Sequence, residues 1–157
     1  MAKVMMKTGP RADAKPVLES LNKQVAEWTV LYMKWHHYHW YLTGESFFTL
    51  HEKFEQLYNE AALNLDELAE RMLALDGAPA STLKECLSLA TIKEATGKEN
   101  PTQMVESAWK DLEYIAEELS KGIELADENK DDPTADMLTG LKGKVEKHIW
   151  MLKSYLK

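Results

Sequence analysis

At 157 residues the chain is long enough for one domain with a full apolar core. A content of 45% hydrophobic and 29% charged residues excludes an intrinsically disordered chain. The net charge of −7 repels phosphate backbones and attracts cations, so the body of the domain is not built for nucleic acid.

In chain order, residues 1–15 read as a flexible tail punctuated by Gly9-Pro10. It is the only basic part: Lys3, Lys7, Arg11 and Lys15 against Asp13 give +3. The stretch MAKVMMKTGPRADAKP holds no continuous apolar segment of the sort a secretory signal needs. From Pro16 to Leu42 the residues Leu18, Leu21, Val25, Trp28, Tyr32 and Trp35 recur at helical steps. Thr43-Gly44-Glu45-Ser46 breaks the pattern. The next helix carries the cleanest period, Leu50, Phe54, Leu57, Ala61, Leu65, Leu68, Met72, Leu75, and Asp76-Gly77 with Pro79 beyond supplies its stop. Residues 78–100 form a long connection with a short helix from Ser81 to Leu87. Asn100-Pro101 is an N-cap followed by Pro at the first helical position, and Val105, Ala108, Leu112, Ile115, Leu119 and Ile123 follow. Asp132-Pro133 repeats that signal, ahead of Leu138, Leu141, Val145, Ile149, Leu152 and Leu156.

No strand alternation and no internal repeat interrupts these helices. The fold class is all-α: a four-helix bundle over residues 16–157 with a short extra helix between the second and third long helices. That connection is long enough to cross the bundle, giving an up-down-down-up order. No apolar run reaches the length of a membrane span, so no membrane partner is expected. The lone Cys86 excludes an internal disulfide and fits a reducing cytoplasm.

Histidines and carboxylates between His39 and Glu70 carry the chemistry. His51 and Glu55 are four residues apart on the second long helix, as are Asp66 and Glu70, so each pair shares a face. Imidazole and carboxylate together suit Fe2+, Zn2+, Mn2+ or Co2+ better than the thiolate-seeking metals. Fifteen residues part His51 from Asp66, about 22 Å along a straight helix. Either these are two half-sites, or the second half arrives from another copy of the chain. The polar set runs one position behind the apolar seam, on a flank where a subunit interface would lie, and Ala62 is small enough for a close helix crossing. A two-fold axis near Ala62 would set the His51/Glu55 end of one chain against the Asp66/Glu70 end of its partner. His39, at the end of the first helix, could join either cluster. On a solitary helix the same residues read as a solvated rim, with Glu55 paired to Lys53. None of the five histidines has Glu three residues before it, which disfavours a di-iron centre inside one bundle.

The segment HWYLTGESFFTLHEKFEQLYNEAALNLDELAER, residues 39–71, resembles the signature of the Dps family, the mini-ferritins of starved and oxidatively stressed bacteria. DDPTAD at 131–136 and KHIWMLKSYL at 147–156 resemble the family too, most nearly its members from low-GC Gram-positive bacteria. The resemblance implies a ferritin-like bundle, a hollow homododecamer, and a ferroxidase site shared at the two-fold interface. On that pattern His39, His51 and Glu55 come from one chain and Asp66 and Glu70 from the other. Glu70, helped by Asp66 and His39, bridges the irons or binds the tighter one; His51 and Glu55 serve the second, and zinc is a possible substitute. The oxidant implied is hydrogen peroxide in preference to dioxygen, with Fe3+ stored as an oxide core. Trp40, beside His39, reads as an electron donor when one iron is loaded, or as an aromatic packing residue. Asp127, Asp132 and Asp136 match the family's acidic iron entrance at the three-fold axes. Asp132 is also the expected N-cap of the last helix, and Asp136 stands in its first turn, where the helix dipole favours negative charge. His36 and His37 have no role in the pattern. The competing reading is a nonspecific DNA-coating protein, weakly bound through the tail and nucleoid-associated in the cytoplasm, whose binding should vanish with moderate salt.

Overall fold

Leu21, Val25, Trp28, Leu31 and Trp35 recur at steps of three and four and are all buried, and this stripe fixes which side of α1 (Lys15–Tyr41) faces inward. The structure is a computed structural model that describes residues 14–157. The tail expected over 1–15 lies outside the described residues up to Asp13, while Lys15 is already helical. The stripe of α2 (Phe47–Ala74) runs Leu50, Phe54, Leu57, Ala61, Leu68, Met72. Between Ala61 and Leu68 the buried residue is Asn64, and Leu65 is only partly covered, because the stripe drifts around a helix of 3.6 residues per turn. The short α3 (Leu83–Leu89) follows, then α4 (Pro101–Glu128) and α5 (Asp132–Tyr155).

Directions follow from cross-helix contacts. Tyr38 reaches Ser107 at 3.1 Å, Lys34 reaches Asp111 at 2.6 Å, and Tyr114 donates its hydroxyl to Glu27 at 3.1 Å, so α1 and α4 run antiparallel. Lys53 contacts His148, and Arg71 contacts Asp131, so α2 and α5 are antiparallel as well. With the tight α1–α2 and α4–α5 turns the order is up, down, down, up, and residues 75–100 cross the bundle carrying α3. Glu27, fully buried, holds that crossing in place by accepting the Thr91 and Ile92 amides at 2.8 and 2.9 Å.

The ends are locally encoded. Asn100 and Gln103 form a reciprocal capping box ahead of Pro101, and Thr82 and Glu85 form another on α3. At the end of α2 the left-handed residue is Asp76 (φ 59°), not Gly77. Its amide bonds Leu73 O and that of Gly77 bonds Met72 O, a Schellman ending. Gly77 lies close to α1: a Cβ there would stand 2.5 Å from Leu18 Cδ2 and oblige that side chain to shift. The cap of α5 is Asp131, one residue before the expected Asp132, because Pro133 takes the second helical position and Asp131 reaches Thr134 N and Oγ1. Among the described residues no helix is long and apolar enough to cross a membrane.

Candidate metal centre

The turn at 42–46 folds the start of α2 back on the end of α1 and brings His39 and His51 face to face. Their rings stack at 3.6 Å between centroids, inclined by 16°. Each Nδ1 lies 2.8 Å from the other residue's backbone carbonyl. A carbonyl only accepts, so both Nδ1 atoms carry the hydrogen and both Nε2 atoms keep a lone pair. Phe47 stacks on the far face of His51 at 4.9 Å, and Tyr58 stands edge-on to His39 at 5.2 Å. The two imidazoles are therefore fixed in tautomer and in plane before any ligand arrives, as metal-binding histidines require.

Glu55 is exposed one turn beyond His51 on the same side of α2. Lys53 does not pair with it; its ammonium donates to Gln56 Oε1 and to His148 Nδ1, both at 3.0 Å. The Tyr58 hydroxyl is held above its ordinary pKa, first by burial and then by the Glu55 charge.

Asp66 and Glu70 are exposed further along α2, with Leu63 and Leu73 bare at 64% and 58% on either side of them. Leu63, Asp66, Glu70 and Leu73 thus share one uncovered face of α2. Within one chain they do not meet the histidines, and among the described residues no three His, Cys, Asp or Glu side chains gather as a metal-holding group. The structure thus brings together His39 and His51, leaves Glu55 beside them, and keeps Asp66 and Glu70 apart.

Trp40 is not part of the stacked pair. It is 60% exposed, its nearest ring is His36 at 5.2 Å, and it lines a groove of about 400 Å³ with Met33, Leu83 and Leu87. His36 donates Nδ1 to Tyr32 O at 2.7 Å and stacks on Tyr58 at 3.6 Å, a packing role, while His37 lies over Tyr41. Asp127, Asp132 and Asp136 are all exposed where α4 turns into α5. Beside them Arg71 clamps Asp131 at 2.7 Å and Thr134 Oγ1 at 2.8 Å.

Sequence reasoning missed the aromatic walls, Phe47 and Tyr58; the spacing of Tyr58 seven residues after His51, two turns along one face, was the available signal. It also missed a network between α2 and α5. There His148 accepts from Lys53 and donates Nε2–H to Glu60 at 2.6 Å, and Gln56 donates to Glu60 at 3.0 Å.

Residues 18–157 match the family model described as a ferritin-like domain. General stress protein 20U of Bacillus subtilis is 55% identical over 143 residues, covering 91% of this chain and 99% of that protein. DNA protection during starvation protein 2 of Bacillus anthracis is 51% identical, over 90% of this chain and 97% of that protein. The crystal structure of a Dps protein from Bacillus brevis superposes with a TM-score of 0.92 at 47% identity, covering 97% of this chain and all of that one.

Proposed function

This chain belongs to the Dps family of ferritin-like proteins, and we propose that two copies build each ferroxidase centre across a two-fold axis, within a hollow dodecamer that stores the ferric product. The observation that carries this reading is the reciprocal bonding of His39 and His51, which leaves two Nε2 lone pairs on one chain with no group of three ligands gathered among the described residues. Asp66 and Glu70, set in their bare apolar stripe, are the complement a partner would bring.

In this proposal the ferrous ion is the substrate. His39, with Asp66 and Glu70 of the second copy, holds the tighter ion; His51 and Glu55 hold the other. Carboxylates neutralise the incoming charge and the fixed imidazoles set its geometry. Two Fe2+ each give one electron to one hydrogen peroxide, which takes two protons and leaves as two waters, so no hydroxyl radical is released. When only one ion is loaded, Trp40 supplies the second electron. Asp127, Asp132 and Asp136, repeated by a three-fold axis, focus a negative potential that draws Fe2+ inward. Zinc fits the same donors and would compete. The cytoplasm is the working compartment.

The test is complementation. A His39→Ala/His51→Ala chain and an Asp66→Ala/Glu70→Ala chain are each inactive as homo-oligomers. Co-assembled at random, half of the dimers are mixed and each mixed dimer holds one intact site. Peroxide-driven Fe2+ oxidation should therefore return to about a quarter of the wild-type rate. No recovery would mean that the two residue sets do not serve one site.

The name of the Bacillus anthracis relative favours a second role in DNA protection. The basic tail, repeated in a dodecamer, would bind DNA by avidity without reading sequence. Removing residues 1–15 should abolish a gel shift and leave iron oxidation intact.

A further inference from the structure

Between α2 and α5, away from the histidine pair, lies a recess of about 400 Å³. Its α5 wall carries Lys144, Lys147 and His148, and its α2 wall carries Gln56, Glu60 and Asn64. We propose that this recess binds a small inorganic oxyanion of the orthophosphate type.

Four observations converge on an anion. Lys144 and Lys147 take part in no ion pair among the described residues, whereas Lys34, Lys121, Lys142 and Lys153 all do. Both ammonium groups line the recess and are free to meet an anion there. Of the two carboxylates that line the recess, Glu60 already accepts from His148 at 2.6 Å and from Gln56 at 3.0 Å, so much of its charge is met within the protein. A small inner cavity adjoins the recess: Glu60, Asn64, Lys144 and His148 line both, and Trp35 lines the inner one. Trp35 is 1% exposed and its Nε1–H has no acceptor. A buried donor without an acceptor is costly, and an inner space of about 10 Å³ matches one anion oxygen or one bridging water.

The same residues disfavour a cation. Both nitrogens of His148 are committed, Nδ1 accepting from Lys53 and Nε2 donating to Glu60, so no imidazole lone pair remains for a metal. The His148 ring is also held below its ordinary pKa, by burial first and further by the fields of Lys53 and Lys147 against the pull of Glu60. Glu67, exposed at the rim, opposes an anion and therefore supplies a diagnostic. A free ion is favoured over a nucleic-acid backbone because only a small group reaches the inner donor.

The experiment is calorimetric titration of metal-free, full-length protein with sodium phosphate at neutral pH, with 31P line broadening as a second readout. Expected are saturable binding of one phosphate per chain and at least a tenfold loss of affinity in Lys144→Gln/Lys147→Gln. Glu67→Gln should tighten binding severalfold, and Lys142→Gln, on the same helix but paired with Glu146, should leave it unchanged. Absence of saturable binding, unchanged affinity in the double variant, or displacement of phosphate by a short DNA duplex would each overturn the proposal. If the double variant does not fold, Glu67→Gln decides alone, and an unchanged affinity there counts against the site. Anaerobic Fe2+ stoichiometry of the same variants should stay at the wild-type value, which keeps this result separate from the fate of the shared ferroxidase centre.

Discussion

His39 and His51 hold one another by a symmetric exchange: each ring donates Nδ1–H to the other's main-chain carbonyl at 2.8 Å, with the rings stacked at 3.6 Å. One residue is thus both a ligand candidate and the support of the other. Long-range nitrogen NMR should find the hydrogen on Nδ1 of both rings near neutral pH. His51→Ala removes one ligand and one wall of its neighbour, so Zn2+ or Fe2+ affinity at the remaining imidazole should fall by about 10–100-fold beyond the loss of the second ion. Retention of full affinity for the first ion would show that the stacking is packing alone.

Glu27 is a structural carboxylate with a different task. It is fully buried and accepts two main-chain amides, of Thr91 and Ile92, together with the Tyr114 hydroxyl. Glu27→Ala leaves donors inside the protein without acceptors, at a cost of about 2–4 kcal/mol. Urea unfolding should register that loss, and hydrogen exchange at the amides of 91 and 92 should accelerate. A variant as stable as the parent would mean that water replaces the carboxylate there.

The four long helices were readable because Leu50, Phe54, Leu57, Ala61 and Leu68 repeat at helical steps and because Asn100-Pro101 announces a cap. The separation of Asp66 and Glu70 from His51 was readable too, since it needs only the rise of a helix. The stacking of His39 on His51 was not, because it depends on how residues 42–46 turn, and no periodicity records that. Nor was the Lys34–Asp111 pair, whose members lie 77 residues apart. Burial raises the Asp111 carboxyl above its usual range although Lys34 pulls it down, a contest that only the packed bundle creates. The displacement of the α5 cap from Asp132 to Asp131 turned on a choice between two adjacent aspartates that the Arg71 contact decides from another helix.

That choice separates two neighbouring residues by function. Asp131 caps α5 through Thr134 N and pairs with Arg71, and these donors hold its carboxyl below the usual range although burial pushes it up. Asp131→Ala should cost about 1–2 kcal/mol in urea unfolding. Asp132→Ala, exposed and one position later, should cost less than about 0.5 kcal/mol and should slow Fe2+ uptake through the proposed acidic entrance. Equal destabilisation by both would assign Asp132 to the cap after all.

His148 gives the protein a pH dependence of definite sign. The groups facing it are Lys53 and Glu60 from α2 and Lys147 from its own helix, and burial with the two lysines sets its pKa below the ordinary 6.5 in spite of Glu60. In the unfolded chain this ring takes up a proton as pH falls through about 6.5; in the folded chain it resists until lower pH. The unfolded state therefore binds more protons in that window, and stability declines as pH falls from 7 toward the folded-state value. Above pH 7 the residue contributes no slope. His148→Gln keeps a donor and an acceptor in the same place but cannot titrate, so urea midpoints at pH 5, 6, 7 and 8 should fall less steeply on the acid side than in the parent. Parallel pH profiles for the two proteins would show that His148 is protonated as readily in the bundle as in water, and that the lysines and burial around it do not govern its charge.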